Sequence, residues 1–204
     1  MKKSTKVIIS LMLCVLTISL FGCGVKTPSD TVKQYLEQVK KGENGDFTNL
    51  LNNTLEKGEQ NKEKSKEQNK DSKADKKISD DIKKITYTIN SEKIDNDKAT
   101  VNVKVNGPDL ATVMGEYIQK SLVTAFSQAF SNDGKSEKDM DKLYEDILMQ
   151  CLNNMKFTER TGDISLSKVD GKWKINSDGN LTKLLVNIDD SFFNSEKKEN
   201  KKSK

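Results

Sequence analysis

Histidine is absent from all 204 residues. That removes the commonest general base and the commonest metal ligand together. The chain has three cysteines, and no two stand in C-x-x-C spacing. Zinc enzymes, Ser-His-Asp and Cys-His hydrolases and histidine-held haem proteins are therefore disfavoured. No G-x-S-x-G, P-loop or G-x-G-x-x-G occurs in a strand-to-helix setting. Proline occurs twice, tryptophan once (Trp173) and arginine once (Arg160). Almost all positive charge is lysine, against which 31 acids leave a formal balance of +4. Charged residues make up 32 % and hydrophobic ones 33 %, so much of the chain must face water. No cofactor is expected, and neither a catalytic nor a metal-ligating set can be named.

What is present begins with an address. Residues 1–6 carry three lysines and no acid, and residues 7–21 are apolar and uncharged. A positive start, an apolar core and a small residue before a cut describe a secretory signal peptide over 1–22. Its end, Leu20-Phe21-Gly22-Cys23, resembles the bacterial lipobox. The resemblance implies that a diacylglycerol is attached to the sulfur of Cys23 and that the chain is then cut before it. Phe21 stands where that family usually has a smaller residue. The competing expectation is an uncleaved anchor, because the uncharged run Val7–Val25 approaches the ~20 residues that span a bilayer. Both readings export the body, with the N-terminal lysines held in the cytoplasm. The expected location is the extracytoplasmic face of the cell membrane. Residues 23–27 then form a tether, and two acyl chains suffice for stable anchoring. Removing 1–22 leaves a balance of +1, which gives nucleic-acid binding no electrostatic support.

The body, 28–193, is expected to be a single domain. Thr27-Pro28-Ser29-Asp30 is a helix start, and Val32, Tyr35, Leu36 and Val39 form one stripe ending at Gly42. A short second helix after Asp46 carries Phe47, Leu50, Leu51 and Leu55. Residues 56–77 hold eight lysines, six acids and one apolar residue, Ala74. They are expected to form a charged insertion, either disordered or a solvated helix.

From Ile85 the period switches to two. Ile85, Tyr87 and Ile89 alternate, then Ala99, Val101, Val103 and Val105 after the turn Asp95-Asn96-Asp97, which predicts a hairpin with one buried face. Gly107-Pro108-Asp109 opens a long helix. Its apolar positions from Leu110 to Phe130, with Leu122, Phe126 and Phe130 among them, form a broad stripe. Ser136 to Asp139 caps the next helix, whose stripe includes Cys151. The bland role of that thiol, buried apolar volume, is expected. A strand begins at Phe157–Arg160, another holds Ile164 and Leu166, and Asp170-Gly171 predicts a hairpin pairing Leu166 with Ile175 and Lys168 with Trp173. A final helix carries Leu181, Leu184, Leu185 and Ile188, and 194–204 is expected to be a loose tail. The doublets Asp80-Asp81 and Asp189-Asp190 read as helix-end charge or solvated surface.

The fold class is therefore α+β: an antiparallel sheet of about four or five strands with helices on one face, in the order ααββααβββα. Gly107-Pro108-Asp109-Leu110 opening a helix after a valine strand, and Asp170-Gly171-Lys172-Trp173-Lys174-Ile175 before a short terminal helix, resemble lipoproteins of low-GC Gram-positive bacteria. The resemblance implies a cone-like, nuclear-transport-factor-2-like (cystatin-like) domain of unknown function and brings no catalytic residue. The expected role is a non-enzymatic module that binds an unknown protein or small ligand at the envelope. The alternatives are a small-pocket enzyme using a carboxylate or Tyr35, Tyr87 or Tyr117, and an accessory envelope factor.

Overall fold

A computed structural model describes residues 26–56, 72–130, 136–189 and 192. Cys23, the expected signal peptide and the tail 194–204 lie outside these residues. The described chain forms α1 (Pro28–Lys41), α2 (Gly45–Glu56), α3 (Lys73–Ile82), β1 (Thr86–Asp95), β2 (Lys98–Pro108), α4 (Leu110–Ala129), α5 (Glu137–Asn153), β3 (Phe157–Val169), β4 (Lys172–Ile175) and α6 (Gly179–Val186).

The four strands make one antiparallel sheet in the order β1-β2-β3-β4. Its inner face is set by period two in β2, where Val101, Val103 and Val105 are fully buried. Each such valine contributes about 1.5–3 kcal/mol by leaving water. Val32, Leu36 and Val39 of α1 and Leu181, Leu185 and Val186 of α6 join the same core. The outer face is polar: Asn102 donates to Asp163 at 2.6 Å, and Lys104 pairs with Glu159 at 2.8 Å.

Both hairpins follow local rules. Asp170 and Gly171 both have positive φ, at 51° and 74°, as a two-residue turn between twisted strands requires. Leu166 then faces Ile175 and Lys168 faces Trp173, the expected register. Trp173 packs on the main core, with the Lys168 ammonium 5.6 Å from its ring centre. Helix ends are equally local. Thr27 and Asp30 form a reciprocal capping box, as do Ser136 and Asp139.

Four expectations need correction. Phe157–Arg160 and Ile164–Leu166 belong to one 13-residue strand, so the sheet has four strands. Of the charged tract, 57–71 lie outside the described residues, and its end belongs to a packed helix, because Ser72 caps α3 and Lys73–Lys77 lie in it. Ala74 and Ile78 give that helix enough apolar surface to pack beside α5. The second helix starts at Gly45 rather than after Asp46, with the Asn44 side chain accepting from Phe47 N at 2.9 Å. The outer half of the α4 stripe is not core: Leu122, Phe126 and Phe130 are exposed.

One junction joins strands and helices. The half-buried Arg160 guanidinium on β3 donates to the carbonyls of Leu184 (2.9 Å) and Leu185 (3.0 Å) in α6. It also reaches the carbonyls of Gly107 and Pro108, each at 3.4 Å, and the Thr158 hydroxyl. Asp109 beside it caps α4 by accepting from Thr112 N (3.1 Å) and also accepts from the Asn187 side chain at 2.7 Å. Gly107 permits this approach: a Cβ there would stand 2.5 Å from the Leu185 carbonyl and 3.0 Å from the guanidinium. Gly107→Ala should destabilise the protein by about 1–3 kcal/mol through overpacking against backbone. Gly115→Ala, on α4 with open space around it, should instead stabilise by about 0.5–1 kcal/mol. Urea denaturation of both variants checks the pair, and equal midpoints would refute the close-approach account.

Candidate functional site

The three tyrosines named from the sequence lie in different places. Tyr35 on α1 is packed against the main core, and its hydroxyl is buried without a hydrogen bond of ordinary geometry. Burial pushes its pKa up to about 12; the nearby Ser177 side chain acts the other way and Asp46 adds to the rise. Tyr87 on β1 donates to Glu37 of α1 at 2.8 Å. Burial, and then that bond, push Tyr87 up to about 12, while the same bond holds Glu37 below its usual range. Tyr87 is thus a strut between strand and helix. Tyr117 belongs to a separate small cluster between α4 and α5.

The space between sheet and helices, where a cone would hold a ligand, is filled by side chains such as Leu36, Leu110, Leu166 and Leu185. A hollow of about 340 Å³ lies elsewhere, along Asp139, Lys142, Leu143 and Asp146. These positions are i, i+3, i+4 and i+7 on α5 alone, so the hollow is a groove along one helix face. Among the described residues no three potential ligands gather as a metal site. Asp95-Asn96-Asp97 is a turn, with Asn96 at φ 53° donating to Asp95.

The aspartate doublets behave differently from one another. Asp80 is a surface partner of Lys83 at 2.9 Å. Asp81 is buried, only 2 % exposed, and accepts from Lys77 and, at 2.7 Å, from Lys84. Burial alone would raise its pKa, but the two lysine hydrogen bonds outweigh it and hold the carboxyl below its usual range. Of the two expected roles, solvated surface fails for Asp81 and helix-end charge holds, since it stands in the last turn of α3. Spacing Lys77/Asp81/Lys84, i−4 and i+3, was the available signal. Asp189 is paired with Lys183 at 3.1 Å, and Asp190 lies outside the described residues.

Cys151 is 1 % exposed and packs with Val113 and Leu152. The second half of α4 shows the reverse of burial. Leu122, Val123, Phe126 and Phe130 are 60, 63, 69 and 83 % exposed. The Phe126 and Phe130 rings stack with centres 6.2 Å apart. Among the described residues this stripe is the clearest candidate for an interaction surface.

Residues 21–110 match the profile of a domain of unknown function, DUF4878. The match is less than half of the chain and takes in α1–α3 and the first hairpin. No curated protein matches. Among solved structures the chain is similar to the candidate lipoprotein ycdA of Bacillus subtilis subsp. subtilis str. 168, with 17 % identity and a TM-score of 0.49. The likeness covers 79 % of this chain and 56 % of that one, so this chain spans little more than half the other's length.

Two predictions follow from the buried groups. Asp81→Asn should cost about 1–3 kcal/mol near neutral pH, because the amide leaves one acceptor and no negative charge to meet two lysines at a buried site. A depressed folded pKa means that this stability is present above the unfolded carboxylate pKa and is lost as pH falls through the folded one. Denaturation curves should therefore show wild type and variant converging in acid, and a gap independent of pH would refute the assignment. Cys151→Ser should cost about 1–3 kcal/mol by placing a hydroxyl in an apolar cluster. Cys151→Ala should cost less, and a maleimide should label native Cys151 only slowly. Rapid labelling of the folded protein would contradict its burial.

Proposed function

We propose that the protein is an exported envelope lipoprotein, anchored through a diacylglyceryl group on Cys23, whose domain is a non-enzymatic binding module. The observation that carries the anchor is the placement of Cys23. It follows Leu20-Phe21-Gly22 and a charge-free apolar run, and only three residues separate it from Thr27, which caps α1. Three residues reach about 10 Å, so the tether would hold the domain against the lipid surface. Among the described residues no helix is long and apolar enough to cross a membrane. The mature chain would then keep a single free thiol, Cys151, inside its helical cluster.

The anchor also orients the domain. Ser29, at the start of α1, donates to Glu92 near the β1–β2 turn. That end of the sheet would face the lipid. β2 is 11 residues long, about 35 Å, and α4 departs from its opposite end.

The binding-module reading is supported by the filled interior and by the exposed stripe on α4. α1 lies across β1, β2 and β4, an arrangement compatible with the cone-like family suggested by the sequence. Mass spectrometry of the membrane form should show an N-terminal diacylglyceryl cysteine at position 23. Cys23→Ala should release the protein from the membrane or leave its precursor uncut. An intact Met1 start with an unmodified Cys23 would overturn the anchor.

A further inference from the structure

The apolar side of α4 faces the wrong way for a helix that serves only its own domain. Val113 and Tyr117, in its first half, pack inward against α5 with Cys151 and Leu152. Beyond Lys120, which reaches Gln150 of α5 at 3.4 Å, the sides exchange roles. Ser121, Thr124 and Gln128 fall on the inward face and are half-buried, with the Ser121 hydroxyl enclosed and unpaired. Leu122, Phe126 and Phe130, at i, i+4 and i+8, point outward with Val123 beside them. No charged residue occurs from Ser121 to Phe130. An amphipathic helix with its apolar stripe turned outward needs something to cover it.

We propose that this stripe is a self-association surface, and that two copies pair their α4 helices side by side about a two-fold axis. This rests on reading the domain as a binding module but does not depend on the lipid anchor. Two features favour a second copy as the occupant. The first is charge. A two-fold interface sets a patch against itself, so any charge near the axis meets its own sign. A ten-residue uncharged stripe carries no such penalty, and it also offers nothing for a charged partner to read. The second is area. Four large side chains, each more than half exposed, present on the order of 500 Å². Two copies would bury on the order of 1,000 Å², the lower limit for a specific interface. The stacked Phe126 and Phe130 rings supply aromatic anchors of the kind that dominate such contacts. A lipid surface fits less well. An interfacial helix keeps a cationic polar face beside its apolar one, whereas the polar side of this segment is turned into α5.

Full-length protein in its native membrane, carrying Phe126→Cys or, in a second strain, Val123→Cys, can be treated with a short bis-maleimide. Both variants should give an adduct of twice the chain mass, with the cross-linked peptide joining α4 to α4. Ser165→Cys, on the exposed polar face of the sheet, should give none, and neither should wild type. Adding Leu122→Glu and Phe130→Glu to Val123→Cys should abolish the adduct, while slow labelling of Cys151 shows that the domain remains folded. Three results would overturn the proposal: no dimer from either reporter, equal dimer from Ser165→Cys, or an adduct joining α4 to a different protein. Each can occur with Cys23 lipidated, so failure here is distinguishable from failure of the anchor.

Discussion

One half-buried cation, Arg160, ties the two halves of the chain together. Arg160 donates to backbone carbonyls at the end of β2 and in the last turn of α6, and to its neighbour Thr158. Lysine, which supplies nearly all other positive charge, could not replace it. An ammonium is a compact point donor, whereas the guanidinium spreads its donors in a plane and meets several acceptors at once. The carbonyls of Leu184 and Leu185 also lie at the negative end of the α6 dipole, where a cation is favoured. Burial lowers the arginine pKa, and the nearby Asp109 charge opposes that effect. Asp109 in turn caps α4 and holds Asn187, whose left-handed backbone ends α6. Strand end, helix start and helix stop therefore share one network.

The domain divides its apolar surface unequally. The sheet, α1, α2 and α6 enclose the main core, while Val113, Cys151 and Leu152 centre a smaller one between α4 and α5. Ile78 of α3 and Met155 touch both clusters. The α4/α5 pair thus has its own local packing and few ties to the sheet beyond its base.

Much of the fold was legible where the signal was local. Alternation placed Val101, Val103 and Val105 on one face, and Asp170-Gly171 set the register of Leu166 and Ile175 correctly. Caps at Thr27 and Ser136 needed only four residues each. The losses came where a residue's role depends on distant chain. Periodicity groups Leu122, Phe126 and Phe130 on one side of α4, but it cannot say whether that side meets the body or the solvent. Asp81 looks like surface charge until Lys77 and Lys84 are seen closing over it. Arg160 carried no motif; its rarity among lysines was the one hint. β3 was divided because Thr161, Gly162 and Asp163 interrupt its apolar pattern, yet β2 pairs with it continuously. The candidate surface was therefore visible in the sequence as a stripe, without the direction in which it faces.

The helical pair inserted between β2 and β3 has a consequence for how the chain finds its sheet. Pro108 pairs with Phe157, so two neighbouring strands are separated by a long excursion. A flexible loop of that length would carry an entropic closure cost. α4 and α5, with 20 and 17 residues, instead run about 30 and 26 Å out and back. Nearly equal lengths return the chain to its departure point, where Asp109 N donates to the Lys156 carbonyl at 2.9 Å. Helices form from neighbouring residues in about a microsecond or less, sooner than distant strands meet. The excursion thus acts as a folding jig, delivering β3 to β2 already near register and making a long-range pairing kinetically local.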